Sequence, residues 1–339
     1  MEVFVKSFGS FRTVKHATTV SESLVLESLA ADSSTVVVNG TRIDLSDIGN
    51  WLVADGFIYS ISKVAPGQGV TTLTLTHPLE AFNRPLELQL MPAAASIGDF
   101  IAEVFRSEWS ACPDPVYAMP YLVVSNSDTT LLVPPDLDNA GMFKLPDYCR
   151  LMLKSQGVQV TFRDGGESLL CQIQKKPVQR RQISFSDGRS QLVNVVYAAS
   201  GLAKITALCD VKTDEKDESG APVYRRERST WYLSEDGDVS QAVPARRASG
   251  GWGSIQLRNT GNLYTKVLET FAANKTGHKV EFWSDVDLDI LTDCAYEISG
   301  TVFRSFISYK RKDSTDRRFY YKTGDLATTI TEKLKGVLK

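Results

Sequence analysis

Between residues 57 and 76 the chain is built from β-prone runs. Phe57-Ile58-Tyr59-Ser60-Ile61-Ser62-Lys63-Val64 leads through a Pro-Gly-Gln-Gly turn into Val70-Thr71-Thr72-Leu73-Thr74-Leu75-Thr76. The last run alternates apolar and polar residues. A strand points successive side chains to opposite faces, so this run predicts a half-buried β-strand. Upstream, Thr35-Val36-Val37-Val38 reaches Asn39-Gly40 and then Thr41-Arg42-Ile43-Asp44-Leu45. An Asn-Gly pair between such runs predicts a two-residue hairpin, because both turn residues must tolerate positive φ. Short strands and tight turns to about residue 88 predict a small barrel or sandwich.

The period changes after Pro92. Ser96 stands before Ile97, Phe100, Ile101, Val104 and Phe105, whose helical spacing predicts a helix capped by that serine. A loop rich in Pro and Asp follows, then a second helix over 142–156 stopped by Gly157, then a strand over 158–162. From residue 183 the β-pattern returns, with strands over 191–197, 203–210, 229–233, 279–283 and 296–302 and a late hairpin around the charged turn 310–318. The polar segment 210–226 predicts a long, mobile hairpin loop. A helix over 262–274 carries Leu263, Val267, Leu268 and Phe271 on one face and is closed by Gly277. Leu326, Ile330, Leu334 and Val337 form a final amphipathic stripe. The fold class expected is mainly β with an α+β insert. The expected units are a β-barrel-like domain over 1–90, a mixed α/β middle domain over 91–182, a second β-barrel-like domain over 183–322 and a C-terminal amphipathic helix over 323–339.

Composition narrows the function classes. The 339 residues are 42% hydrophobic and 23% charged, with formal net charge −2. That is a folded profile with no basic domain, so no specific nucleic-acid partner is expected. No apolar run is long enough to span a bilayer, and no membrane partner is expected. The start, MEVFVKSFGSFRTV, lacks the pattern of a signal peptide, which leads to an expectation of synthesis in a cytoplasm. Cys112, Cys149, Cys171, Cys209 and Cys294 are isolated and form no CxxC pair, so buried free thiols are expected.

Candidate chemistry is sparse. Only His16, His77 and His278 are available as imidazoles, and none sits in a pattern that suggests a triad. Asp285-Val286-Asp287-Leu288-Asp289 alternates carboxylates but lacks the glycine and terminal glutamate of an EF-hand loop, so it reads as a solvated face before a cation site. No phosphate-binding glycine motif occurs, and Gly250-Gly251-Trp252-Gly253 reads as a loop or close backbone approach. No catalytic, metal or cofactor residue is therefore assigned, and no cofactor is expected. Lys175, Lys176, Arg180 and Arg181 form one basic cluster, and Lys310, Arg311, Lys312, Arg317 and Arg318 form another beside Tyr309, Phe319, Tyr320 and Tyr321. The candidate interaction residues are Arg311, Lys312, Arg317, Arg318, Leu326, Ile330 and Leu334.

Several segments together resemble the central baseplate hub proteins of phage tails and of contractile machines such as R-type bacteriocins. They are Gln191-Leu192-Val193-Asn194-Val195-Val196-Tyr197, Trp231-Tyr232-Leu233-Ser234-Glu235-Asp236-Gly237, the helix followed by Gly277-His278-Lys279-Val280-Glu281-Phe282, and Tyr321-Lys322-Thr323-Gly324-Asp325-Leu326. The likeness lies in element order and spans nearly the whole chain. It implies two barrel-like domains per subunit and a homotrimer forming a pseudo-sixfold ring. Such a ring adapts a sixfold tail tube to a threefold spike. The implied partners are further copies of the chain, the tail tube or tube-initiator protein, the central spike or tip protein, baseplate wedge proteins and the tape measure protein, within the baseplate of a virion or tail-like particle. Many relatives carry a hydrolase after the hub, and none is expected here, since the chain ends soon after Gly324. Two alternatives remain open: a tail-tip cell-wall hydrolase using paired carboxylates, and a host-carbohydrate-binding β-module using Trp231, Trp252 or Trp283.

Overall fold

The computed structural model describes residues 1–40, 42–88, 94–138, 140–177, 179–196, 202–216, 220–234, 238–245, 251–257, 263–273, 279–298 and 301–324. Strands β1 (Glu2–Lys6), β2 (Thr13–Ser28), β3 (Ser33–Asn39), β4 (Trp51–Ala54), β5 (Phe57–Pro66) and β6 (Val70–Thr76) pair in the order β1-β4-β5-β6-β3-β2. Pairing of β2 back onto β1 closes a six-strand barrel. Its interior is aliphatic, with Val3, Val36, Val38, Leu52, Ile61, Leu73 and Leu75 packed together. The alternation in β6 works as expected: Leu73 and Leu75 are buried, and Thr72 and Thr74 lie between them on the outer face.

The Asn39-Gly40 hairpin does not form. β3 pairs with β2 and β6, and the run ending at Leu45 enters a short 3-10 turn, Leu45–Asp47. Asp44 caps that turn by accepting from the Ser46 amide, and Asp47 reciprocates to the Asp44 amide. Such local side-chain acceptors compete with a strand ladder for the backbone.

The middle region contains β7 (Pro85–Glu87), α1 (Ile97–Phe105), β8 (Leu122–Asn126), β9 (Met142–Lys144), α2 (Leu145–Gln156), β10 (Val158–Asp164) and β11 (Leu169–Lys175). Ser96 caps α1 by accepting from the Asp99 amide, and all five expected apolar positions are buried. α2 starts three residues later than the sequence suggests, because Met142–Lys144 pairs with β7 and Pro146 occupies the first helical turn. Gly157, at φ 71°, ends it. The sheet β10-β11-β8 lies in one core with α1 and α2, and that core continues into Phe11, Trp51, Val53 and Ile58 of the first barrel. Two cross-ties reinforce the join: Trp51 Nε1 donates to the Tyr121 hydroxyl at 3.2 Å, and Lys6 reaches Asp164 at 2.6 Å.

A second set of six strands follows: β12 (Arg180–Ile183), β13 (Ser190–Val196), β18 (Lys279–Ser284), β19 (Asp293–Ile298), β20 (Thr301–Asp313) and β21 (Phe319–Thr323). They run β12-β19-β20-β21-β18-β13 and curl around Ile183, Phe282, Tyr296, Phe306, Ile307 and Tyr321. β20 also pairs with the far half of β2, so both units belong to one twelve-stranded sheet. The strand expected over 296–302 is in fact parts of two, with Ile298 paired opposite Thr301. Between β13 and β18 lie β14 (Leu202–Lys216), β15 (Pro222–Leu233), β16 (Val239–Ser240), β17 (Gly251–Leu257) and α3 (Leu263–Ala273). Residues 210–226, expected to be loop, are mostly ladder, with Asp210 opposite Arg226 and Lys212 opposite Tyr224. Cross-strand pairing of opposite charges lets polar residues extend a hairpin into solvent.

Candidate interaction surface

The closed barrel and the second six-strand unit meet along β2 and β20. Glu27 sits at this seam, the one carboxylate in the run Leu24-Val25-Leu26-Glu27. It gathers groups from three other segments: Lys176 Nζ at 2.8 Å, Gln159 Nε2 at 2.8 Å and the Ile290 amide at 3.2 Å. Burial alone would raise its carboxyl, but the Lys176 charge and hydrogen bond, with Gln159, outweigh burial and hold it below the usual range. A cavity of about 630 Å³ opens beside it, lined by Glu27, Asp55, His77, Arg150, Asp287 and Lys310 among others. His77 accepts from the Leu79 amide at 3.2 Å and caps a turn. Enclosure, aided by Arg150, pulls its imidazole down to about 4, so it stays neutral near pH 7.

The late basic cluster lies on β20, β21 and their turn. Arg311 pairs with Asp313 at 2.8 Å and stands 4.5 Å over the Tyr320 ring. Lys312 pairs with Asp55 of the first barrel. Arg318 pairs with Asp316 at 2.8 Å and donates to Gln191 at 3.2 Å. Arg317 is exposed and meets no acidic partner among the described residues. Arg311, Arg317 and Arg318 thus belong to one hairpin, where Arg311 and Arg318 are tied locally and Lys312 bridges to the first barrel. Leu326, Ile330 and Leu334, with the C-terminal helix and His278, lie outside the described residues.

The alternating aspartates resolve into separate ion pairs. Asp285 meets Arg189 at 3.2 Å, Asp287 meets Lys310, and Asp289 lies 3.7 Å from Lys176. No group of three metal-ligating side chains gathers among the described residues.

No protein-family model and no curated protein matches the chain. Among solved structures, prophage tail protein gp18 from Listeria monocytogenes EGD-e is similar over 100% of this chain and 98% of its own, at 10% identity and TM-score 0.53. The 43 kDa tail protein of prophage MuSo2 from Shewanella oneidensis is similar over 96% of this chain and 98% of its own, at 12% identity and TM-score 0.50. The chain has the fold of phage tail proteins.

Within this tail-protein fold, four of the five cysteines are buried and Cys112 is partly so, and none is in a disulfide. Burial pushes the Cys294 thiol up to about 12 and Cys149 well above its ordinary value, so neither is a ready nucleophile. The three tryptophans considered for carbohydrate binding divide: Trp231 is buried, Trp283 packs on Tyr320, and Trp252 is 65% exposed. Sequence reasoning missed Glu27, whose only signal was a charge within an apolar run. It also missed the exposed edge of β13. Among the described residues β13 pairs with β18 alone, and Val193 bulges from that ladder with 51% exposure.

Proposed function

We propose that the chain is a structural hub subunit of a phage-tail or tail-like baseplate, and that three copies close into a ring joining a sixfold tube to a threefold spike. The observation that carries this reading is the pair of six-strand units fused into one sheet. Three such subunits would present six similar units around an axis, which is the symmetry an adaptor needs. The fixed seam at Glu27 supports it, because an adaptor must hold its two units at one angle. The first barrel faces outward with Phe4, Val14 and Val20, which offer apolar side chains to a neighbour.

The partners on this reading are two further copies, the tube or tube-initiator protein, the spike or tip protein, wedge proteins and the tape measure protein. Function resides in surfaces, among them Arg317 and the β13 edge, and no turnover is expected. Negative-stain imaging of purified protein tests it. Ring-shaped particles with six lobes are expected, whereas particles of single-chain size, even with tube or spike protein added, would contradict it. A cleared zone on a peptidoglycan gel would instead establish a hydrolase.

A further inference from the structure

The four-stranded sheet inserted between β13 and β18 has two unlike faces. Ile205, Ala207 and Trp231 point toward α3 and pack on Val267 and Phe271. The opposite face carries Lys204, Thr206, Leu208, Asp210 and Lys212 of β14, Tyr224, Arg226, Arg228, Thr230 and Tyr232 of β15, and Trp252, Ser254 and Gln256 of β17, as the strand registers require. On it Lys204, Tyr232 and Trp252 stand side by side across three neighbouring strands.

The Lys204 ammonium lies 5.9 Å from the Tyr232 ring centre and 5.8 Å from that of Trp252. Trp252 donates its indole N–H to Thr206 at 3.1 Å, which fixes the ring while leaving 65% of the residue in water. Among the described residues from 204 to 212 and their strand partners, four cations share this face with one carboxylate, Asp210, which is held by Arg226 at 2.8 Å. Lys212 and Arg228 meet no acidic side chain among the described residues, and Arg228 is exposed. Among the described residues Leu208 is the only aliphatic one on the face. A large apolar partner therefore has little to bury here, and a neutral sugar would leave the cations unanswered.

We infer that this open sheet face binds single-stranded nucleic acid without sequence preference. Unpaired cations call for an anionic polymer, and two aromatic planes call for flat units at regular intervals. A single strand supplies both, with bases stacking on Trp252 and Tyr232 and phosphates meeting Lys204, Arg228 and Lys212. The two rings sit two strand spacings apart, roughly 10 Å. That leaves room for a phosphate above Lys204 between two stacked bases. The site uses none of the residues of either basic cluster in the sequence, since its members come together only through pairing of three strands. It is independent of the hub reading.

The test is fluorescence anisotropy of the full chain with labelled oligo-dT of twenty nucleotides, with indole quenching read in parallel. Expected is saturable binding with quenching. Affinity should fall with added salt at a log–log slope of about −2, for two to three phosphate contacts. Trp252→Ala and Arg228→Glu should each weaken binding about tenfold or more, because stacking and charge are separately removed. Both sites are exposed, and an unchanged melting temperature would show that each variant is folded. Should Trp252→Ala melt early, Arg228→Glu alone carries the test. Absence of binding at 50 mM salt would overturn the proposal. So would equal affinity in the folded variants, or tighter binding to a poly-glutamate peptide or a neutral oligosaccharide than to the DNA.

Discussion

The first barrel and the second set of six strands are similar in strand number but differ in how they end. β1 and β2 seal the first barrel, the far half of β2 is taken up by β20, and the barrel core is aliphatic. The second unit finishes at β12 and β13, which among the described residues have one neighbour each, and its core is rich in Phe and Tyr. It also accepts a whole sheet and helix between two adjacent strands. With β2 already paired to β20, the closed barrel has only side chains left to offer a partner, whereas an open edge can also offer N–H and C=O groups. Within the chain, then, the first barrel is the fixed module and the second unit is where new segments and new contacts can be added.

Truncations in the two cores should sharpen this contrast most. Phe282→Ala removes a fully buried ring from the second unit and should cost about 3–5 kcal/mol. Leu73→Ala in the first barrel should cost about 2–5 kcal/mol, and because the two units share a sheet both variants should lower a single melting transition rather than split it. Two separated transitions in calorimetry would show that the units fold independently.

The next effect is at the seam. Glu27→Gln leaves the largely buried Lys176 with only the more distant Asp289 as counter-charge and should cost roughly 2 kcal/mol, below the 3–5 of a buried pair broken outright. The sign in pH follows from the lowered carboxyl. Its stabilisation is present above the ordinary value of 4.5 and is lost as pH falls through the lower folded value. Melting temperature should therefore drop less steeply on acidification below pH 4.5 in Glu27→Gln than in the parent chain.

Smaller still is Lys312→Ala, which removes a half-exposed bridge to Asp55 and should change stability by about 0–1 kcal/mol in denaturant titration. Val193→Lys should alter the monomer by less than about 0.5 kcal/mol. A charge on the exposed bulge of an edge strand should nonetheless block edge pairing, read as loss of self-association by light scattering.

Local rules carried much of the architecture. The Ser96 cap, the left-handed Gly157, the alternation of β6 and the apolar face of α3 each need only a few neighbouring residues, and each is where the sequence puts it. Long-range pairing was harder to read. β8 and β11 are parallel neighbours, and no local turn announces them. β14 and β15 are polar along their outer halves, so their pattern resembles a loop until cross-strand partners are known. The Asn39-Gly40 signal failed because Asp44 and Asp47 claim the backbone beyond it. Of the candidate surface, Arg311, Lys312, Arg317 and Arg318 were visible as a charge run, but the acidic partners that neutralise three of them come from folding or from close along the same hairpin. Glu27 was invisible for the same reason: its partners lie more than 130 residues away.

Sedimentation velocity of the purified chain across a concentration series tests the hub reading most directly. A species of three chains, each of 37.4 kDa, is expected to dominate as concentration rises and to disappear in Val193→Lys. A single-chain species that persists at every concentration, with or without tube and spike proteins, would contradict it.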